Sequence, residues 1–304
     1  GELIVQDLDL SDFDEVKITG LNIGGSGASV NPLTSDDLVS MLTITPGVEI
    51  GTQNKTFDWV FESGASGDAA FDFLREGQEL VLTYSLEAID QGQPSAQTTL
   101  TVTIIGTNDS PEISLTSGDS DRAQLTETDG VLNKTGTLTV RDVDLADTVE
   151  ASVEAVTIGG TFGDALPSVD FKGMLSVTMS PNTANPHETS NLDWTFNSGA
   201  ADAFDFLAKD ETLQLAYTVK VTDNSGATSG EITTDVHTVL ITIVGTNDTP
   251  EITAGIDDFG FTELVDASAQ TLSKTGMLAF DDVDVTDVID VTSELVSEAV
   301  WSDG

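Results

Sequence analysis

The stretch that most constrains the fold is VTIIGTNDSPE at Val102–Glu112, because it returns as ITIVGTNDTPE at Ile241–Glu251. Asn108 and Asn247 are 139 positions apart. Each copy begins with alternating apolar residues, Leu100, Val102 and Ile104 or Val239, Ile241 and Ile243, the period of a half-buried strand. Each then stops at Gly-Thr-Asn-Asp-Ser/Thr-Pro, where Gly and Pro break the strand and Asn-Asp offers side-chain oxygens. Such a stretch predicts a joint between two similar units.

Other landmarks return in the same order, as in a tandem repeat. An acidic triplet stands at Asp7, Asp9 and Asp12, at Asp142, Asp144 and Asp147, and at Asp282, Asp284 and Asp287. Asp58-Trp59 returns as Asp193-Trp194, Phe71-Asp-Phe-Leu74 as Phe204-Asp-Phe-Leu207, and Lys134-Thr-Gly136 as Lys274-Thr-Gly276. The boundaries expected from these spacings are 1–110, a unit lacking its first strands, 111–249, a complete unit, and 250–304, the start of a third. The third departs from the pattern at Val300-Trp301. The chain reads as an excerpt of something longer.

Within a unit nearly every segment reads as strand. Leu213, Leu215, Tyr217, Val219 and Val221 alternate with polar residues, and Leu80, Leu82, Tyr84, Leu86 and Ala88 do the same 133 positions earlier. Short Thr/Val-rich strands between Gly, Asn and Asp turns predict an all-β fold, a tandem of antiparallel Greek-key sandwiches. Helical turns are expected at Ser35–Leu42, behind a Thr/Ser cap, and at Ala203–Leu207. Trp59 and Trp194 are expected as core anchors rather than sugar-stacking platforms.

Charge narrows the partners. The chain of 304 residues carries 53 acidic against 10 basic residues, a formal charge of −43. A surface of that sign does not suit nucleic acid or an anionic membrane. With 38% apolar residues in clean strand periodicity, disorder is not the expected outcome, so the charge calls for cations. Cys is absent, which removes disulfides and thiolate metal sites. No apolar run of about 18 residues is present to insert into a membrane, and the N-terminus has no signal-peptide pattern.

Calcium takes about six to eight oxygen ligands, and strand parity says which oxygens meet. In a seven-stranded sandwich the second strand, Lys134–Val140, returns to the end where the chain entered, bringing Asp142 and Asp144 with it. The sixth, Leu213–Val221, brings Asp223 to the same end. Asn108, Asp109, Asp142, Asp144 and Asp223 therefore form the first candidate calcium set. Glu127 falls at the opposite end, and the second set is Glu127, Asn247, Asp248, Asp282 and Asp284. The corresponding N-terminal set is Asp7, Asp9 and Asp90. Acidic residues of 68–79 and 202–211 are left as upstream candidates. An EF-hand starting at Asp142 fails, with Asp147 where Gly belongs and Val153 where Glu belongs. Gly24-Gly-Ser-Gly27 has Ser29 where a GGxGxD repeat needs Asp, and reads as a flexible loop.

The sequence GTLTVRDVDLAD, then WTF, LAYTVKVTD and ITIVGTNDTP, resembles a VCBS repeat, a cadherin-like module of secreted bacterial RTX adhesins. The resemblance runs along essentially the whole chain. It implies calcium-stiffened sandwiches in a monomeric rod, an extender for cell adhesion and biofilm formation, exported by a type I system to the bacterial surface. Its partners would be calcium ions and neighbouring repeats. Carried over, the cadherin-type ligands are Asn108/Asp109, Asp142/Asp144 and Asp223; Asp90 lacks the Thr-Asp context and departs from the pattern. A module binding a glycan or peptide through Ile158–Pro167 or Asn182–Glu188 is the alternative. An enzyme is not expected, since His187 and His237 fit no HExxH motif and no GxSxG elbow occurs.

Overall fold

A computed structural model describes residues 1–6, 13–50, 54–64, 69–90, 92–94, 97–163, 166–183, 185–225, 233–255, 260–262 and 271–294, with the backbone alone at 13–14 and 48–50. Asp7, Asp9, Asp12 and Trp301 lie outside the described residues.

The strands follow the alternation of the sequence. The first group comprises β1 (Glu2–Gln6), β2 (Phe13–Gly24), β3 (Leu42–Ile50), β4 (Asn54–Phe61), β5 (Glu79–Asp90), β6 (Gln93–Pro94) and β7 (Thr98–Ile105). The sheets are β1-β4-β3, and β2-β5-β6 with β7 also on β5. The second group comprises β8 (Glu112–Ser114), β9 (Arg122–Thr126), β10 (Asn133–Arg141), β11 (Val149–Gly160), β12 (Leu175–Met179), β13 (Leu192–Asn197), β14 (Thr212–Asp223) and β15 (Thr234–Val244). Its sheets run β12-β13-β10-β8 and β11-β14-β15-β9. Non-sequential neighbours within each sheet make this a Greek-key sandwich, and the same order recurs in the first group. Past it, β16 (Glu251–Ala254) pairs with β17 (Ala279–Asp281) as β8 pairs with β10, Glu251 opposite Asp281 matching Glu112 opposite Arg141.

The opening strand of the second sandwich is split between the sheets. β8 lies antiparallel to β10, whereas β9 lies parallel to β15, with Arg122 opposite Leu240. Asp119 pins the crossover. Its carboxylate accepts the Thr116 N–H and the hydroxyls of Thr116, Thr137, Thr139 and Ser190 at 2.6–3.0 Å.

Each sandwich buries its own core. One gathers Leu38, Leu74, Leu80, Leu82, Tyr84 and Leu86, and the other Leu138, Trp194, Phe196, Leu215, Tyr217 and Ile241. Trp194 is buried with its Nε1–H on the Ser120 carbonyl at 2.7 Å, and Trp59 packs half-buried on the first core. Both are structural anchors.

The expected helical turn is α1 (Ser35–Ser40), entered through a capping box between Thr34 and Asp37. Ala203–Leu207 differs from expectation: it is a hydrogen-bonded turn with Leu207 N–H on Phe204 O at 3.0 Å. A second turn follows at once, Glu211 N–H on Ala208 O at 2.9 Å, sending the chain back into β14 with no room for a helix. Gly24–Gly27 is likewise a packed turn rather than a loose loop. Gly27 N–H bonds Glu79 O at 2.9 Å, and Gly25 has φ +91°, where any Cβ would strike that carbonyl.

Candidate metal centres at the two joints

Residues 106–111 carry the chain from β7 into β8, and 245–250 carry it from β15 into β16. The Gly that opens each segment is clamped to the preceding turn. Gly106 accepts from Gly77 N–H at 3.1 Å and donates to Gln78 O at 2.8 Å; Gly245 accepts from Asp210 at 3.2 Å and donates to Glu211 at 2.9 Å. A Cβ at either glycine would run into the carbonyls of Leu74 and Arg75, or of Leu207 and Ala208. Only glycine permits that approach, and it sets the Phe-Asp-Phe-Leu turn beside the linker.

At the first joint the Asp109 N–H donates to Asp144 Oδ2 at 2.8 Å, and the Asp144 N–H donates to Asp142 Oδ1 at 3.0 Å. Asn108 Nδ2 reaches Asp223 Oδ2 at 3.5 Å. Asp147 closes a turn on the Asp144 carbonyl at 3.0 Å, and its carboxylate meets Arg75 Nη1 at 3.3 Å. The second joint repeats the pattern: Asp248 N–H on Asp284 Oδ2 at 2.7 Å, Asp284 N–H on Asp282 Oδ1 at 3.1 Å, and Asn247 Nδ2 on the Asp248 carbonyl. Glu127 arrives from the end of β9, buried, and accepts from the hydroxyl and N–H of Thr246.

Of the residues expected at the first joint, Asn108 meets Asp223, and Asp109 meets Asp144, which meets Asp142; at the second, Asn247, Asp248, Asp284 and Asp282 are linked, with Glu127 on the adjacent Thr246. Asp90 ends β5, its backbone paired with Gln93 and Phe13. Sequence reasoning missed Asp147 and Arg75, and it left Asp72 and Asp205 undistinguished among the acidic residues of 68–79 and 202–211. Asp147 was visible as the third member of the repeated triplet, and Asp72 and Asp205 as the acid of the repeated Phe-Asp-Phe-Leu. Nothing in the sequence marked Arg75.

The electrostatics are those of carboxylates crowded out of water. Asp142, Asp144, Asp147, Asp223, Glu127 and Asp284 are all buried. Burial, reinforced by neighbouring carboxylates, pushes Asp142 and Asp144 each up to about 7. It raises Asp109, with Asp72 adding to the effect, and Asp205 goes up to about 6 beside Asp248 and Glu127. Asp248 and Asp284 are raised for the same reason.

Several of these oxygens are buried without a hydrogen-bond partner among the described residues: Asp142 Oδ2, Asp144 Oδ1 and Asp147 Oδ2 at one joint, and Glu127 Oε1, Asp205 Oδ1, Asp248 Oδ2 and Asp284 Oδ1 at the other. Burying unpaired anions is strongly unfavourable, so the arrangement calls for positive charge. All-oxygen donors of this kind fit a hard divalent cation such as calcium. Among the described residues, no three His, Cys, Asp or Glu side chains form a group placed to hold a metal ion. One oxygen each of Asp142, Asp144 and Asp284 is engaged with a backbone N–H instead.

No family model and no curated protein matches the chain. Among solved structures it is similar to cadherin ectodomain fragments. Human mucin-like protocadherin EC1-2 is 14% identical with a TM-score of 0.33, covering 71% of this chain and 92% of that one. Human CDH23 EC21-23 is 15% identical with a TM-score of 0.34, covering 79% and 60%. Mouse cadherin-23 EC22-24 is 14% identical with a TM-score of 0.29, covering 70% and 57%. The strand pairing itself makes the chain a tandem of Greek-key sandwiches.

Proposed function

We propose that this chain is a calcium-stiffened extender, three consecutive repeats at about 1–110, 111–249 and 250–304 within a cell-surface adhesin. One observation carries the reading: carboxylates from separate strands converge at two equivalent joints, with buried oxygens that have no hydrogen-bond partner among the described residues. Asn108, Asp109, Asp142, Asp144 and Asp223 would hold calcium at the first joint, joined by Asp147 and Asp72. Glu127, Asn247, Asp248, Asp282 and Asp284 would do so at the second, joined by Asp205. Asp7, Asp9 and Asp90 are the corresponding ligands at the N-terminal end of the first repeat.

Without cation the clustered charges repel and the chain can flex between repeats; with it, the ions at the joints tie neighbouring repeats into a rod. Affinity in extracellular modules of this kind is on the order of 10⁻⁴ to 10⁻³ M, so the rod stiffens in calcium-rich fluid and slackens where calcium is scarce. A bacterial RTX adhesin with VCBS repeats, exported by a type I system and acting in biofilm formation, is the parent that the motifs favour. The reading has no catalytic step. Against the glycan- or peptide-binding alternative, Trp59 and Trp194 serve the cores. Among the described residues, no helix is long and apolar enough to cross a membrane.

Calorimetric titration of the chelated chain tests the proposal. Calcium should bind with a stoichiometry above one, and Asp142→Ala with Asp144→Ala should remove the ions of the first joint alone. Absence of binding at millimolar calcium would overturn it.

A further inference from the structure

The two joints share the linker Asn-Asp and the acidic triplet but not the same cations. At the first, Arg75 follows the Phe-Asp-Phe-Leu turn, and its guanidinium lies 3.3 Å from the carboxylate of Asp147, which is fully buried. The residue in the matching place of the second sandwich is Ala208, because Leu74 corresponds to Leu207. Asp287, the counterpart of Asp147, makes the same turn onto Asp284, at 3.1 Å, with alanine where Arg75 would stand. Besides the Asp284–Asp248 bond, that joint is crossed by the Thr286 hydroxyl donating to the Glu211 carboxylate at 2.9 Å, an exposed contact that brings no cation.

Packing differs in the same sense. Leu145, between Asp144 and Asp147, donates its N–H to Phe73 O at 3.3 Å and packs on the first core. Its counterpart Val285 is 53% exposed. A cation on the upstream turn, one carboxylate downstream, an apolar contact and a backbone bond therefore cross the first joint with no ion from solution. A guanidinium suits this place because it stays charged at every relevant pH and, half-exposed, keeps part of its hydration.

We propose that Arg75 is a fixed counter-ion built into the first joint, holding its two sandwiches in register without metal, while the second joint depends wholly on dissolved cation. The rod would then respond in two steps. At low calcium the first two sandwiches move as one body and the flexing is confined to 245–250; at high calcium both joints are fixed. Arg75 acts through Asp147 and is a positioning residue. The calcium half of this statement rests on the function proposed above; the metal-free half does not.

The absence of Cys makes the test direct, since introduced thiols are the sole labelling sites. Spin labels at Thr101→Cys and Glu150→Cys span the first joint, and at Thr195→Cys and Val288→Cys the second; all four positions are exposed. Electron–electron distance measurements on the whole chain in chelator should give a narrow distribution for the first pair and a broad one for the second. Arg75→Ala should abolish the narrow peak, Arg75→Lys should retain it, and Ala208→Arg should sharpen the second pair. A first pair as broad as the second in chelator, or a narrow peak that survives Arg75→Ala, would overturn the proposal. These arms contain no metal, so failure of added calcium to sharpen the second pair would count against the calcium reading alone.

Discussion

Asp144 holds the linker from below: its Oδ2 accepts the Asp109 N–H at 2.8 Å, and Asp284 holds Asp248 in the same way at 2.7 Å. Each bond joins the loop after the second strand of one sandwich to the segment that leaves the sandwich before it. The acids are therefore both the lining of the joint and part of its mechanical connection.

Stability without metal should fall as pH rises. Asp142 and Asp144 are each pushed up to about 7 by burial, against an unfolded value near 3.9. The folded chain holds more protons than the unfolded one across that interval. Its stability is then greatest near pH 4 and drops through pH 7, by an amount on the order of a few kcal/mol. Melts in chelator at pH 5 and pH 7.5 should show the higher Tm at pH 5, with calcium restoring stability at pH 7.5. A chelated chain more stable at pH 7.5 would contradict the burial of these acids.

Asp119 should behave in the opposite sense. Burial alone would raise it, but hydrogen bonds from Thr139, Thr116, Thr137 and Ser190 outweigh that and hold its carboxyl well below the usual carboxylate range. Its contribution is complete above about pH 4, its unfolded value, and is lost only as pH falls through the depressed one. Asp119→Ala strands several hydroxyls and frees the crossover between β8 and β9, which should cost roughly 2–4 kcal/mol in urea unfolding of the second sandwich. The first sandwich should be unaffected.

Tyr84 and Tyr217 are a matched pair, buried, each bonding a carbonyl 46 residues earlier: Leu38 O at 2.7 Å and Phe171 O at 2.8 Å. Tyr→Phe keeps the ring and strands the carbonyl, which should cost about 1–2 kcal/mol at either site. Sitting in separate cores, the two losses should add in the double variant. Differential scanning calorimetry reads both.

Asp210 sits at φ +66°, where its counterpart Gly77 sits at +70°. A side chain in that region is strained, though Asp tolerates it better than most. Asp210→Gly should stabilise the second sandwich by about 0.5–1 kcal/mol, because relief of strain outweighs the added freedom of the unfolded chain. A lower Tm in this variant would show that the Asp210 side chain contributes more than its backbone costs.

Much of this was legible in the sequence, for identifiable reasons. Alternation from Leu213 to Val221 fixed one strand, and parity between Lys134–Val140 and Leu213–Val221 placed Asp142, Asp144 and Asp223 at one end. The split of the opening strand was not legible, because it depends on Asp119 reaching Thr137, Thr139 and Ser190 across as many as 71 positions. Arg75 escaped for a similar reason. A lone arginine after a turn carries no pattern until Gly106 brings that turn against the linker. Local periodicity reveals strands; a contact made by one side chain over a long loop leaves no period.

The central claim is that cation at the joints sets the stiffness of the chain, and small-angle X-ray scattering tests it most directly. With about a millimolar of calcium, the upper end of the range for such modules, the maximum dimension should increase and the profile become that of a rod. In chelator the profile should broaden to that of linked bodies, and Asp282→Ala with Asp284→Ala should keep it so when calcium is returned. Profiles that superimpose with and without calcium would contradict the account.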